Sequence, residues 1–196
     1  MLAALLHRFT ADEYHLMAES GVLAPDARVE LLDGHVIDRA RPSPFHYGTV
    51  NWLSEMLAKR SAGRWITSVQ TALNLETHYE PQPDVMLLRP RPDFYKAALP
   101  EPKDVLLLIE VSDSSLLLDL HDKLPAYARA GIRETWVVNV PERVVEMYRN
   151  PGNSAYSLHR RIRSGDNQDR PARLSVTPGM HPVPAVTHVP SACGAA

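Results

Sequence analysis

The stretch DVLLLIEVS, Asp104 to Ser112, decides how this chain is read. It is a nearly unbroken apolar run, bounded by PEPK on one side and DSS on the other. A short continuous run between turns is the pattern of a strand covered on both faces. A second such run, VMLL from Val85 to Leu88, follows the proline-bracketed turn YEPQPD. Strands covered twice need layers above and below them. The expected fold class is therefore α/β or α+β, a mixed central β-sheet flanked by helices.

The flanking segments supply those layers. In FTADEYHLMAESG, Thr10 stands ahead of Asp12 and Glu13 as an N-cap with an acidic first turn, predicting a helix over Ala11 to Ser20 that stops at Gly21. RVELLDGHVIDRA joins two short apolar runs through Asp33-Gly34, a hairpin signal, with strands near Arg28 to Leu32 and His35 to Arg39. After the prolines of RPSP, residues Val50, Leu53 and Leu57 recur at helical spacing up to Gly63. RWITSVQTALNLE is β-branched and mostly alternating and reads as a strand. Pro125 is tolerated only in a first turn, so the helix of DLHDKLPAYARAG is expected to start near Asp122 and run to Ala130. RETWVVNV reads as a strand, and RVVEMYRN with AYSLHRRI as a hairpin around PGNS.

With 196 residues the chain suits one domain, placed at 1–165, with 166–196 a proline-containing, loosely ordered tail. Hydrophobic residues make up 44% and charged ones 22%, ordinary for a soluble globular protein. A formal charge of -2 gives no global basic field, so nucleic acid would have to be met by a local patch. The basic clusters KRSAGR and RRIR are candidates, although short charge runs are usually solvated faces. The single cysteine, Cys193, excludes a disulfide framework and a Cys-based zinc site, and a reducing, cytoplasmic setting is the simplest inference. Neither a signal peptide nor a membrane span is expected. No GxSxG, P-loop, GxGxxG, HExxH or HxxEH spacing occurs, which argues against esterase, nucleotide hydrolase, dinucleotide enzyme and zinc hydrolase.

Two acids stand where strands should be apolar. Asp84 opens the VMLL run and Glu110 interrupts LLLIEVS. A lone ionised carboxylate in such a strand neutralises or finds a cationic partner. If the two strands are neighbours, the acids converge, and a proton, a lysine or a divalent cation must lie between them. Oxygen donors of this kind suit Mg²⁺ or Mn²⁺ better than zinc. Lys123, expected in the first turn of the next helix, can point back over the sheet toward a reacting phosphate. Each residue also has a structural reading: Asp84 a turn cap, Glu110 half of a buried ion pair, Lys123 a solvated lysine paired with Asp119. Glu30 reads as a strand-surface charge and His46 as a buried structural histidine. Both, with Gln82 and Asp119, are kept as supporting candidates.

Together PQPDVMLL, LLLIEVSDSS and DLHDKLPAYARAGIRETWVVNV, with VELLDGHVIDRARPSPFHYGTV upstream, resemble the Uma-type family of restriction-endonuclease-like proteins in the PD-(D/E)xK nuclease superfamily. The resemblance covers about Phe9 to Tyr148 and fades after Gly165 apart from TPGM. It implies a restriction-endonuclease-like core with a divalent-metal site. Pro83-Asp84 matches the family's PD and Glu110 its second acid. Ser112 stands where the simple signature has lysine, and Lys123 matches the place to which the lysine has moved. His46 corresponds to a histidine that some nucleases of the superfamily carry where this helix begins. On this reading Asp84, Glu110 and Lys123 are catalytic, and Asp84 and Glu110 bind Mg²⁺ with the Val111 carbonyl as a further ligand. The implied function is a Mg²⁺-dependent endonuclease acting on nucleic acid, DNA first, with a homodimer expected for duplex cleavage. A catalytically silent module of the same fold, binding nucleic acid or protein, is the alternative. A metal-free glycosidase with paired acids is a distant third.

Overall fold

The computed structural model describes residues 6–163. The expected tail at 166–196 lies outside the described residues. The hairpin of Asp33-Gly34 forms as expected from β1 (Val29–Leu32) and β2 (His35–Asp38), with both turn residues at positive φ, 49° and 76°. Helix α1 (Ala11–Glu19) precedes it under a full capping box. The Glu13 amide donates to Thr10 Oγ1 and the Thr10 amide to Glu13 Oε2.

Gly34 is fixed by close approach as well as by φ. A Cβ added there would lie 2.6 Å from the Arg8 Cβ, and Arg8 is held in place because the next amide, Phe9, donates to the Gly34 carbonyl. Gly34→Ala is expected to lower the thermal midpoint by at least about 4 °C, from a left-handed penalty of about 1–2 kcal/mol plus the clash. A thermal melt of the purified variant checks this; an unchanged midpoint would contradict it.

The main sheet has six strands in the order β3 (Ile66–Val69), β4 (Val85–Leu88), β5 (Val105–Ser112), β6 (Glu134–Asn139), β7 (Val144–Pro151) and β8 (Tyr156–Arg163). All neighbours are antiparallel except β5 and β6, which are parallel. The crossover between those two is helical. Helix α2 (Pro44–Ser61) packs Val50, Leu53 and Leu57 on one face, against Val85, Leu87, Leu107, Ile109 and Trp136. On the other face Leu32 of the hairpin, Leu73, Tyr79 and the crossover's Ala126 and Tyr127 meet Met86, Leu88 and Leu108. Every residue of β4 is buried. Its unbroken apolar run follows from the two layers, although β4 pairs antiparallel with both of its neighbours. No helix among the described residues is long and apolar enough to cross a membrane.

Two expectations are corrected. The strand read over RWITSVQTALNLE ends at Val69, because Gln70 adopts φ 49°, a left-handed conformation that stops the ladder. The crossover helix does not start near Asp122. It begins as α3 (Leu116–Leu118), widens into a π-helical turn over Asp119–Lys123, and continues as α4 (Leu124–Arg129). Pro125 has no amide hydrogen and its ring crowds the preceding turn, and the wide turn ahead of it relieves that conflict. Lys123 accordingly sits in the middle of the helical segment, and both Asp119 and Lys123 are buried.

Candidate active site

In the antiparallel register of β4 and β5, Val85 faces Ile109. Continued by one residue beyond the paired strand, that register sets Asp84 opposite Glu110, at the end of the sheet where α2 reaches Asp84 through His46 and the crossover helix reaches Glu110 through Tyr127. The two acids therefore come together from the central strands, and both are buried.

Asp84 is gripped from several segments. His46 Nε2 donates to Oδ2 at 3.1 Å and the Val111 amide to the same oxygen at 2.9 Å. Gln70 Nε2 donates to Oδ1 at 3.3 Å, and Arg39 Nη2 lies 3.9 Å from Oδ1. Burial alone would push this carboxyl up, but the bonds from His46, Val111 and Gln70 outweigh it and hold Asp84 below the ordinary aspartate value. The other ring nitrogen of His46, Nδ1, is buried and has no hydrogen-bond partner among the described residues. Ser43 sets this histidine's place: it caps α2, its Oγ accepting from the His46 amide, with Pro44 in the first turn.

Glu110 lives in the opposite environment. Burial raises its carboxyl to about 8, helped by the charges of Asp119 and Asp84 and opposed by Lys123 and the Tyr127 hydroxyl. Tyr127 donates to Oε1 at 2.6 Å, and Lys123 Nζ lies 3.5 Å from the same oxygen. Lys123 is 4% exposed and also reaches Glu30 Oε1 at 3.0 Å and Asp119 Oδ1 at 3.8 Å. Burial would lower this ammonium's pKa, yet the three carboxylates more than reverse that, and it stays charged. Asp119 takes hydrogen bonds from Ser112 and Ser115. Ser112 thus fills the signature's lysine position and supports the crossover acid.

Two structural readings are overturned here. Glu30 is no surface charge: it is 2% exposed, pairs with Lys123 through Oε1 and accepts the Gln82 amide through Oε2. Lys123 is no solvated lysine, although its pairing with Asp119 does occur. Val111 enters through its amide, on Asp84. Gln82 also binds Arg39 through its side chain. The residues that sequence reasoning missed are Gln70, Arg39 and Tyr127. For Tyr127 a signal existed, since it lies four residues after Lys123 and shares its helix face. Gln70 and Arg39 carry none.

The donor set is compatible with a hard divalent ion. A carboxylate offers about four lone-pair sites, and Asp84 uses three in hydrogen bonds. Tyr127 and Lys123 both meet Glu110 on Oε1, which leaves Oε2 for a ligand. Among the described residues no group of three His, Cys, Asp or Glu side chains is placed to enclose a metal. Mg²⁺ does not require one, because it is held by one or two carboxylates with water and phosphate oxygens completing the shell.

A mixed sheet between helical layers, with acids opposed on neighbouring central strands, is a restriction-endonuclease-like fold. The Uma2 family model, described as "Putative restriction endonuclease", matches residues 11–181, and the chain belongs to that family. A crystal structure of a nuclease from Anabaena variabilis ATCC 29413, described as putative and belonging to DUF820, superposes with a TM-score of 0.57. The two share 13% identity over 79% of this chain and 84% of that one, a likeness of fold. No curated protein matches.

Proposed function

We propose that the protein is a Mg²⁺- or Mn²⁺-dependent nuclease hydrolysing phosphodiester bonds, with DNA as substrate. The observation that carries this reading is that Asp84, bonded to the Val111 amide at 2.9 Å, lies close enough to Glu110 for its charge to act there, with the Lys123 ammonium 3.5 Å from Glu110. Family membership supports the same chemistry. Asp84 and Glu110 would hold the ion, which supplies a water of lowered pKa and neutralises charge on the phosphate. Lys123, aimed by Glu30 and Asp119, orients the attacking water and stabilises charge growing on the phosphate oxygens. Tyr127 fixes the Glu110 rotamer, and His46 and Gln70 fix that of Asp84.

The test is incubation with labelled DNA in Mg²⁺ or Mn²⁺ against EDTA. Cleavage that needs the ion and falls at least about a hundredfold in Asp84→Asn is expected. Ion-independent cleavage, or full activity in the variant, would overturn the reading. The enclosure of Lys123 by three carboxylates favours a second reading, a silent nucleic-acid-binding module in which the cluster is structural. Salt-sensitive binding without cleavage is its signature.

A further inference from the structure

Phe45 and Tyr47 flank His46 in the first turn of α2. Successive helical residues turn by about 100°, so with His46 directed inward onto Asp84 the two rings leave the helix on opposite sides of it. They are 58% and 45% exposed, and neither belongs to a core cluster. Beside them the helix is open: a Cβ added at Gly48 would meet nothing within 4 Å. Two arginines precede the rings in RARPSPFHYG. Arg39 reaches toward Asp84, and Arg41 is exposed and without a partner among the described residues.

Single exposed aromatics are ordinary. Here two straddle the histidine bonded to a candidate catalytic acid: Tyr47 meets the His46 ring edge-on at 6.1 Å between centroids, yet neither ring joins a core cluster and about half of each stays in solvent. Rings exposed on a segment that also carries the unpaired Arg41 match unpaired nucleic acid, whose bases expose their own faces; in a duplex those faces are hidden in the stack.

We propose that Phe45 and Tyr47 stack unpaired nucleobases while Arg41 holds a neighbouring phosphate, so that the strand presented to Asp84 and Glu110 is single-stranded. The proposal builds on the nuclease reading for the fate of the strand, but binding alone decides it.

The full chain is titrated, in EDTA and again in Ca²⁺, with a fluorescein-labelled oligo-dT of about 12 nucleotides and with the same strand annealed to oligo-dA. The single strand is expected to bind more tightly than the duplex. Phe45→Ala and Tyr47→Ala should each weaken it by about fivefold to a hundredfold with an unchanged melting midpoint, and Tyr47→Phe should retain affinity because the ring remains. Arg41→Gln should reduce the salt dependence by about one phosphate contact. Duplex binding as tight as the single strand, or both alanine variants binding like the parent, overturns the proposal. If the protein binds through both rings yet never cuts, the nuclease reading falls and this one stands. If it cuts DNA while both alanine variants bind unchanged, the nuclease reading stands and this one falls.

Discussion

Glu110→Gln is expected to lose cleavage by about a thousandfold while becoming more stable than the parent in alkaline solution. The two effects share one cause. In the folded protein burial raises Glu110 to about 8 from an ordinary value of 4.5. Below about 4.5 the folded and unfolded chains both carry the proton. Between about 4.5 and about 8 only the folded chain keeps it, so the Glu110 contribution to stability declines as pH rises and is fully lost above that window. Glutamine imitates the protonated acid in shape and charge and removes this decline, but it cannot serve as an anionic ligand. Thermal melts at about pH 5 and about pH 9 should show the variant gaining on the parent at the higher value. Mn²⁺ should raise the parent's midpoint, more strongly toward pH 9 because no proton then has to be displaced, and should leave the variant's midpoint in place. A variant that cuts at the parental rate would remove Glu110 from the chemistry.

Lys123→Met is expected to destabilise the fold by about 3–5 kcal/mol, near 10 °C in melting midpoint. The methionine fits the space, so the loss is electrostatic. Three buried acids, Glu30, Glu110 and Asp119, lose the ammonium that lies 3.0, 3.5 and 3.8 Å from them. Without it Glu110 and Asp119 hold their protons more tightly in the folded state. The deficit is therefore smallest in acid and widens as pH rises. Denaturant titrations across pH measure this, and adding Glu30→Gln to the variant should recover part of the loss. A deficit below about 1 kcal/mol, or one that ignores pH, would mean that solvent already screens the cluster.

Much of the sheet was legible in the chain because local chemistry and tertiary role coincide there. The apolar runs of β4 and β5 mark a doubly covered centre, PGNS marks the turn between β7 and β8, and Asp33-Gly34 marks the separate two-stranded hairpin that packs on it. The acids could be singled out because a carboxylate inside such a run conflicts with its surroundings. What stayed hidden depends on long-range partners. Glu30 resembles any polar residue of an alternating strand until Lys123, from the crossover, closes over it. Gln70 breaks a strand that its β-branched neighbours would continue, and in its left-handed conformation its backbone amide donates a hydrogen bond to the Asp84 carbonyl and its side chain donates one to Asp84 Oδ1. Pro125 pointed to a late helix start, whereas a π turn lets the helix begin earlier and turns Asp119 and Lys123 inward together.

The contacts converging on Asp84 and Glu110 come from residues as far apart along the chain as Arg39 and Tyr127. A polypeptide still leaving the ribosome has no assembled centre until Tyr127 has emerged and the crossover has docked. On the nuclease reading proposed above, strand cutting would be withheld during synthesis, and a fragment released early by proteolysis or premature termination would carry the acids without the groups that position them.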